Sequence, residues 1–389
     1  MDAYNPDGSS RFLVAHYLPD MVSGAELAIA DFIGVVDEHY HATMLTPGDG
    51  KLANYYKRAG FDVWTKLIHT KRRRYPGLHT VQSLVFAREL RDRDFDVVLC
   101  NTFPAASRVG MACRRAGIPY GIYVREYISD HSLHRKILDR ANKILAVSRD
   151  VRNYLSDMTD PAKIVVAYDY IDTRPILERA TLHEASGNRL VPFGAEHPVV
   201  GIVGRITPYK QQDLFVRAIP GVLSEIPVAR FVVVGSARET EKDYEKYVTN
   251  LAVDLGVQDK VAFMGHRNDA IEIISELTVG CLTSSREPLA RVILESQSLG
   301  CPVIASDTGG SPEMVEDEIT GLLFSFTAPD AESQLSAQII RLLNDRLLRN
   351  KIVEKAKKEI QTTFAGSKHV RQLEKYIEEL CINGRRGNK

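Results

Sequence analysis

V-V-G-I-V-G-R-I-T-P-Y-K-Q-Q-D-L-F-V-R-A-I-P-G-V-L-S-E-I, residues 199–226, is the stretch on which the fold turns. Val199 to Val203 is a short apolar run rich in β-branched side chains, as in a strand buried on both faces. Gly204 breaks the run, a loop carries the chain past Lys210, and Gln212 to Ile226 has helical spacing. A second apolar run, Arg230 to Val234, follows. Strand, helix and strand in this order predict parallel strands joined by a right-handed crossover.

The pattern extends in both directions. Downstream, strands are predicted at Val261 to Met264, Val279 to Thr283 and Pro302 to Ala305. Helices are predicted at Asp243 to Leu255, Asp269 to Glu276 and Val292 to Gly300, and the tail from Ala331 to Leu380 is largely helical. Upstream, strands are expected at Phe12 to His16, Ala42 to Thr46, Phe61 to Lys66, Asp96 to Cys100, Tyr120 to Val124 and Lys143 to Val147. Helices fall at Ala25 to Val36, Leu52 to Ala59 and Leu78 to Leu90. From about Asp169 to Pro198 the periodicity fades, so the linker is expected there. The reading is α/β, with two successive doubly wound domains at residues 1–180 and 195–365. A final helix, residues 367–389, is expected to return to the first domain. In it Val370, Leu373, Tyr376, Ile377, Leu380 and Cys381 recur at three- and four-residue intervals as one apolar stripe. In such sheets ligands bind beyond the carboxyl ends of the strands.

Composition removes other classes. The 389 residues carry 50 Lys and Arg against 50 Asp and Glu. A net charge of zero argues against a nucleic-acid binder, which needs a basic excess. The five cysteines include no C-x-x-C pair, so neither zinc-ligand nor thioredoxin spacing is present. They read as reduced, buried thiols of a cytoplasmic protein. Met1 to Arg11 has no apolar leader core, and no run is long enough to span a bilayer.

Three constellations carry chemistry. In Gly204-Arg205-Ile206-Thr207-Pro208-Tyr209-Lys210, two cations leave the carboxyl end of a strand. Arg offers a planar fork and Lys a mobile point charge, a combination that suits a diphosphate. Out of that context they are two ordinary surface cations. Ser285-Arg286-Glu287-Pro288-Leu289-Ala290-Arg291 leads from a strand into a helix that carries Glu295. Backbone N–H groups at a helix start can face an anion. The two carboxylates suit sugar and ribose hydroxyls, because each can accept from two O–H donors. A helix cap and a solvated side chain is the competing reading. Gly300 to Glu313 reads G-C-P-V-I-A-S-D-T-G-G-S-P-E, a strand ending in a Gly-Gly turn. That turn serves either close backbone approach to a ligand or simple chain reversal.

In this order and spacing, the three segments resemble the donor half of the family 4 glycosyltransferases of GT-B fold. The resemblance covers Val199 to about Leu323, through Gly321-Leu322-Leu323. It implies two facing Rossmann-like doubly wound parallel-sheet domains with a cleft between them. It implies a retaining transferase of hexosyltransferase type in polysaccharide biosynthesis. Such an enzyme moves a sugar from a UDP- or GDP-sugar to a hydroxyl of a glycan, lipid-linked or small-molecule acceptor. No metal or other cofactor is implied. Arg205 and Lys210 would hold the pyrophosphate, and Glu287 the transferred sugar; these are the catalytic candidates. Gly204, Pro288, Leu289, Ala290 and Val292 would line the sugar and phosphate site. Glu295 would bind the ribose, and His266 and Arg267 would lie near the base. Leu289-Ala290 departs from the Phe-Gly frequent in the family, and the extra methyl narrows the pocket.

The first half matches the family less closely. Ser23-Gly24-Ala25-Glu26 resembles the Gly-rich loop that meets the donor phosphate, which makes Gly24 a donor-side candidate. The region where many members carry a His reads Tyr123-Val124-Arg125-Glu126-Tyr127, so Arg125 and Glu126 become the acceptor-side candidates. Asp92-Arg93-Asp94 has metal-motif spacing but precedes a buried strand and reads as a polar turn. Trp64 reads as core. Lys71-Arg72-Arg73-Arg74 is either a solvated run or a contact for acidic glycans or a membrane surface. Two alternatives stay open: a sugar-nucleotide epimerase of the same fold, and a non-catalytic subunit that partners an active transferase.

Overall fold

Every strand pairing among the described residues is parallel, as short apolar runs separated by helices require. The computed structural model describes residues 10–19, 23–36, 39–67 and 76–386. The basic run at 71–74 lies outside them. The chain divides into two compact units, residues 1–171 with 367–389, and residues 172–366.

The first unit begins with β1 (Ser10–Ala15), α1 (Gly24–Ile33), β2 (Tyr40–Thr46), α2 (Lys51–Arg58) and β3 (Asp62–Thr65). It continues with α3 (Pro76–Asp92), β4 (Val97–Cys100), α4 (Phe103–Ala116), β5 (Tyr120–Val124) and α5 (Ser132–Arg140). It then runs through β6 (Lys143–Ala146), α6 (Arg149–Ser156) and β7 (Ile164–Val166). The strands lie in the order β3-β2-β1-β4-β5-β6-β7. Chain order reverses between β1 and β4, and the loops leaving them diverge to open a crevice at their carboxyl ends. Phe12, Leu13, Val14 and Ala15 are fully buried, as a central strand covered on both faces must be. Trp64 is half-buried at the edge of this core, between Phe86 and Phe95 and under the Arg93 guanidinium.

The second unit opens with α7 (Thr173–Ser186), β8 (Val199–Val203), α8 (Gln212–Glu225), β9 (Arg230–Val234) and α9 (Lys242–Asp254). Next come β10 (Val261–Gly265), α10 (Ala270–Ser275), β11 (Val279–Leu282), α11 (Arg291–Leu299) and β12 (Val303–Ser306). It closes with α12 (Ser311–Met314), β13 (Leu322–Phe324), α13 (Ala331–Asn344) and α14 (Arg346–Glu359). The order β10-β9-β8-β11-β12-β13 reverses between β8 and β11. The loops after β8 and β11 therefore flank the switch point, and they are the loops that carry the first two motifs.

The division falls after Ile171, within the stretch from Asp169 to Pro198 where the linker is expected, but residues 173–186 form α7 of the second unit, so the first domain stops short of residue 180. The helix shows no apolar stripe because only Ile176 is buried on it. Polar contacts hold it instead. Arg179 meets both Glu272 oxygens at 2.9 and 2.6 Å, and His183 Nε2 lies 2.7 Å from Glu276 Oε1. Glu276 also accepts from the Leu190 and Val191 N–H groups at 2.7 and 3.1 Å.

The last helix, α15 (Ser367–Arg386), lies in the first unit. Val370, Leu373, Ile377, Leu380 and Cys381 are buried along it. Leu380 packs over Gly121, where an added Cβ would meet its Cδ1 at 2.8 Å. His369 Nε2 lies 2.7 Å from the Tyr168 carbonyl, and the Tyr40 hydroxyl donates to Glu378 at 2.8 Å. Lys143 pairs with Glu379. All five cysteines are buried and none is in a disulfide. No helix among the described residues is long and apolar enough to cross a membrane.

Candidate functional site

At the switch point of the second sheet, β8 is followed by Gly204 with φ +151°, a conformation that favours glycine. The Gly204 N–H donates to the Val234 carbonyl at 2.9 Å, which draws the ends of β8 and β9 together. Gly235 faces this contact, and a Cβ there would sit 1.9 Å from the Gly204 oxygen. The chain then turns through Pro208–Lys210 into α8. The Gln212 side chain donates to the Arg205 carbonyl at 2.9 Å and accepts from the Thr207 N–H at 3.3 Å.

Hydroxyl groups tie the three motif loops together. Thr283 Oγ1 donates toward the Lys210 and Gln211 carbonyls, each at 2.8 Å. The Ser285 N–H donates to the Tyr209 carbonyl at 2.7 Å. Ser306 and Thr308 donate from the third motif to the Ser284 carbonyl at 2.6 and 2.9 Å. The Gly310 N–H reaches the Glu287 carbonyl at 2.7 Å. Segments about a hundred residues apart thus form one wall.

Charges meet on that wall. Lys210 Nζ donates to Glu287 Oε2 at 2.9 Å, with both side chains mostly buried. Ser284 Oγ donates to the same oxygen at 3.0 Å. Burial opposes the Lys210 charge, but Glu287 and Tyr209 outweigh it and hold the ammonium above the usual lysine range. Arg205 lies 3.6 Å from Glu241, and its guanidinium carbon is 5.8 Å from the Tyr209 ring. Glu295, expected as a ribose ligand, accepts from Arg291 one turn earlier at 2.9 Å. Ala290 is buried at the start of α11, Pro288 and Leu289 are half-buried, and Val292 packs against the core. His266 is exposed beyond β10, and Arg267 clasps Asp269 at 2.7 and 2.6 Å.

In the first unit the polar groups gather at the carboxyl ends of β1, β4 and β5. Gly24 opens α1, and the Ser23 N–H and Oγ both donate to Glu26 at 3.0 and 2.5 Å. The Glu26 carboxylate thus takes up an open N–H at the helix start. Arg125, expected on the acceptor side, is a buried strut. Its Nε donates to Asp169 at 2.7 Å, its Nη1 donates to the Asn101 carbonyl and Oδ1 at 2.8 and 2.6 Å, and its guanidinium covers the Tyr123 ring. Glu126 keeps a buried Oε1 with no partner among the described residues, and burial raises its pKa. His16, just after β1, is buried against Tyr56, and among the described residues neither ring nitrogen is hydrogen-bonded. Burial, then the Arg125 charge, hold its pKa down to about 3.

Sequence reading missed Gly235, Glu241 and His16, and it missed the hydroxyls that join the loops. The run Thr283-Ser284-Ser285 at a strand end was the visible signal for those hydroxyls. Among the described residues no group of three or more His, Cys, Asp or Glu could hold a metal ion.

Known proteins resemble the chain in both units. Residues 22–174 match the family described as Glycosyltransferase Family 4, and residues 191–359 match Glycosyl transferases group 1. The chain is 31% identical over 195 residues to the D-inositol 3-phosphate glycosyltransferase of Mycobacteroides abscessus. That match takes in 49% of this chain and only 42% of the relative, so the chain spans under half its length. It is 24% identical over 396 residues to the UDP-Gal:alpha-D-GlcNAc-diphosphoundecaprenol alpha-1,3-galactosyltransferase of Escherichia coli, covering 96% of this chain and 98% of that one. Among solved structures, the Anabaena protein HepE in complex with UDP-glucose superposes with a TM-score of 0.79 at 21% identity. That superposition covers 95% of this chain and 99% of HepE. A glycosyltransferase of Rickettsia africae gives a TM-score of 0.79 at 19% identity over 96% and 98% of the chains. These likenesses show the fold to be GT-B.

Proposed function

The chain belongs to the family 4 glycosyltransferases, and we propose that it transfers a hexose from a nucleoside-diphosphate sugar to a hydroxyl acceptor, with retention of configuration. One observation carries the reading. Three loops converge at the switch point of the second sheet and bring Arg205, Lys210 and Glu287 onto one wall, with Lys210 bonded to Glu287 at 2.9 Å. Arg205 and Lys210 bind the diphosphate. As the bond to the anomeric carbon breaks, charge grows on the leaving diphosphate, and these cations stabilise it without a metal. Glu287 accepts from the sugar hydroxyls and aligns the ring for attack. The acceptor attacks from the face the diphosphate leaves, and the departing phosphate takes the acceptor's proton. Gly204, Pro288, Leu289, Ala290 and Val292 line the donor site, Glu295 takes the ribose, and His266 and Arg267 border the base. In the first unit, Glu126 is the acceptor-side candidate.

The acceptor is a glycan or a lipid-linked glycan of polysaccharide biosynthesis. The Escherichia coli relative, whose name specifies a diphosphoundecaprenol-linked acceptor, supports this class. The enzyme is cytoplasmic and touches the membrane surface. Val81, Leu84 and Val85 support that contact, standing about half exposed on one side of α3 just after the basic run at 71–74. A thermal-shift screen of UDP-, GDP- and ADP-sugars tests the donor, followed by product analysis with candidate acceptors. Stabilisation by one class and an α-linked product from an α-linked donor are expected. Donor consumption with no acceptor present, yielding an isomerised sugar, would overturn transfer in favour of epimerisation.

A further inference from the structure

Arg205 and Glu241 face each other in an unusual way. Glu241 closes a short turn, Glu239–Glu241, after β9, and its Oε1 accepts from Thr207 Oγ1 at 2.6 Å. Its Oε2 lies 3.6 Å from Arg205 Nε, and both atoms are buried without a hydrogen-bond partner. Among the described residues the terminal nitrogens of Arg205 make no hydrogen bond either. Thr207 belongs to the same loop as Arg205, and its backbone is fixed by Gln212. The carboxylate is therefore held at one end by Thr207 and faces the stem side of the guanidinium at the other. Lys210 stands near enough that the Arg205 charge works against its own. Two neighbouring cations hold their places best when each has its own carboxylate, and the second pair here is Lys210 with Glu287.

We propose that Glu241 is a positioning residue for diphosphate binding: pinned by Thr207, it backs Arg205 from the Nε side and turns the two-nitrogen fork toward the phosphates. A carboxylate or phosphate takes that fork through two parallel N–H bonds, so its orientation matters as much as its charge. Nothing in the three motifs marks Glu241, because it enters from the turn after β9. The inference rests on the donor-site reading above.

The test is a double-mutant cycle on the full chain, read by calorimetry with UDP and uridine, and in parallel GDP with guanosine and ADP with adenosine. Glu241→Gln keeps the shape and removes the charge. It is expected to weaken the diphosphate about fivefold or more while leaving the parent nucleoside within about twofold. Thr207→Val, which frees the carboxylate without altering its charge, should give a smaller loss of the same kind. In an Arg205→Ala background both losses should vanish, because the effect acts through Arg205. An equal loss in both backgrounds, an equal loss for nucleoside and diphosphate, or tighter diphosphate binding in Glu241→Gln overturns the role of Glu241 and leaves the donor site standing. Failure of the unaltered protein to bind any of the three diphosphates overturns the donor site, and this inference with it.

Discussion

A mostly buried ammonium keeps its charge only beside an acceptor, and Lys210 has Glu287 at 2.9 Å. Two of the three Lys210 donors stay available for a phosphate. At the proposed donor site, Lys210→Ala therefore removes a phosphate contact and takes the ammonium away from the Glu287 carboxylate, which keeps Ser284. Charge-assisted hydrogen bonds contribute roughly 1.5–3 kcal/mol, so donor affinity should fall about tenfold or more. Arg205→Ala should do likewise, whereas Glu287→Gln should lower turnover more than it lowers nucleoside-diphosphate affinity. Titration calorimetry beside steady-state rates checks all three variants. His16 makes a different prediction, about pH. Its folded pKa is about 3 against 6.5 for an ordinary histidine, so it stays neutral in the fold while the unfolded chain protonates. Between those values the unfolded state binds the extra proton, and stability must fall as pH drops. The slope reaches about 1.4 kcal/mol per pH unit for one proton. Denaturant unfolding from pH 6.5 to 4 should show His16→Gln with a shallower slope than the parent by about that amount. Parallel slopes would show that His16 is not held neutral.

Among the elements, the central strands and the helices α8, α9 and α11 were legible because their burial writes a period into the sequence. Val199–Val203 and Gln212–Glu225 lie within a residue of where the pattern puts them. Helix α7 is illegible because it is fastened by Arg179 and His183 to Glu272 and Glu276, and polar contacts leave no apolar period. The site divided in the same way. Arg205, Lys210 and Glu287 could be named from their spacing, but Glu241 could not, since its place depends on how β9 returns beside β8. Arg125 is named in the sequence only by its place where many family members carry a His, which says nothing of the Asp169 and Asn101 contacts that bury it. The ends of β8 and β9 also carry a prediction. Their approach depends on Gly235, which has φ +139° and faces the Gly204 oxygen. Gly235→Ala forces these backbones apart, because a Cβ would lie 1.9 Å from that oxygen and no flexible side chain can yield. The shift should move Arg205 and Lys210 together. Donor affinity should fall by more than in either alanine variant alone, with unfolding about 1–3 kcal/mol easier. Unchanged affinity would mean that the loop after β8 is held in place independently of β9.

For the whole molecule the decisive element is α15, which comes last in the chain yet belongs to the first unit. The first unit cannot complete its core until the second has been made, which ties its stability to the far end of the sequence. Val370, Leu373, Ile377, Leu380 and Cys381 are each no more than 8% exposed. Burying such side chains is worth about 1.5–3 kcal/mol each, a sum comparable with the total stability of a typical domain. Beneath them, Gly121 on β5 offers only a bare backbone to Leu380 and cannot cover itself. Tyr40, Lys143 and the Tyr168 carbonyl would each lose a contact to α15 as well. The second unit has no such dependence, since its core is drawn from Val200 through Ile352 and includes no residue of α15. Ending the chain after Gly366 should therefore damage one unit and spare the other. Hydrogen exchange resolved by peptide should show protection lost in β4, β5 and β6 and kept in β8, β9 and β11. The nucleoside diphosphate that stabilises the full chain should still stabilise the second unit of the shortened one. Retained protection at Tyr120–Val124 in the shortened chain would show that the first sheet holds its core without the returning helix.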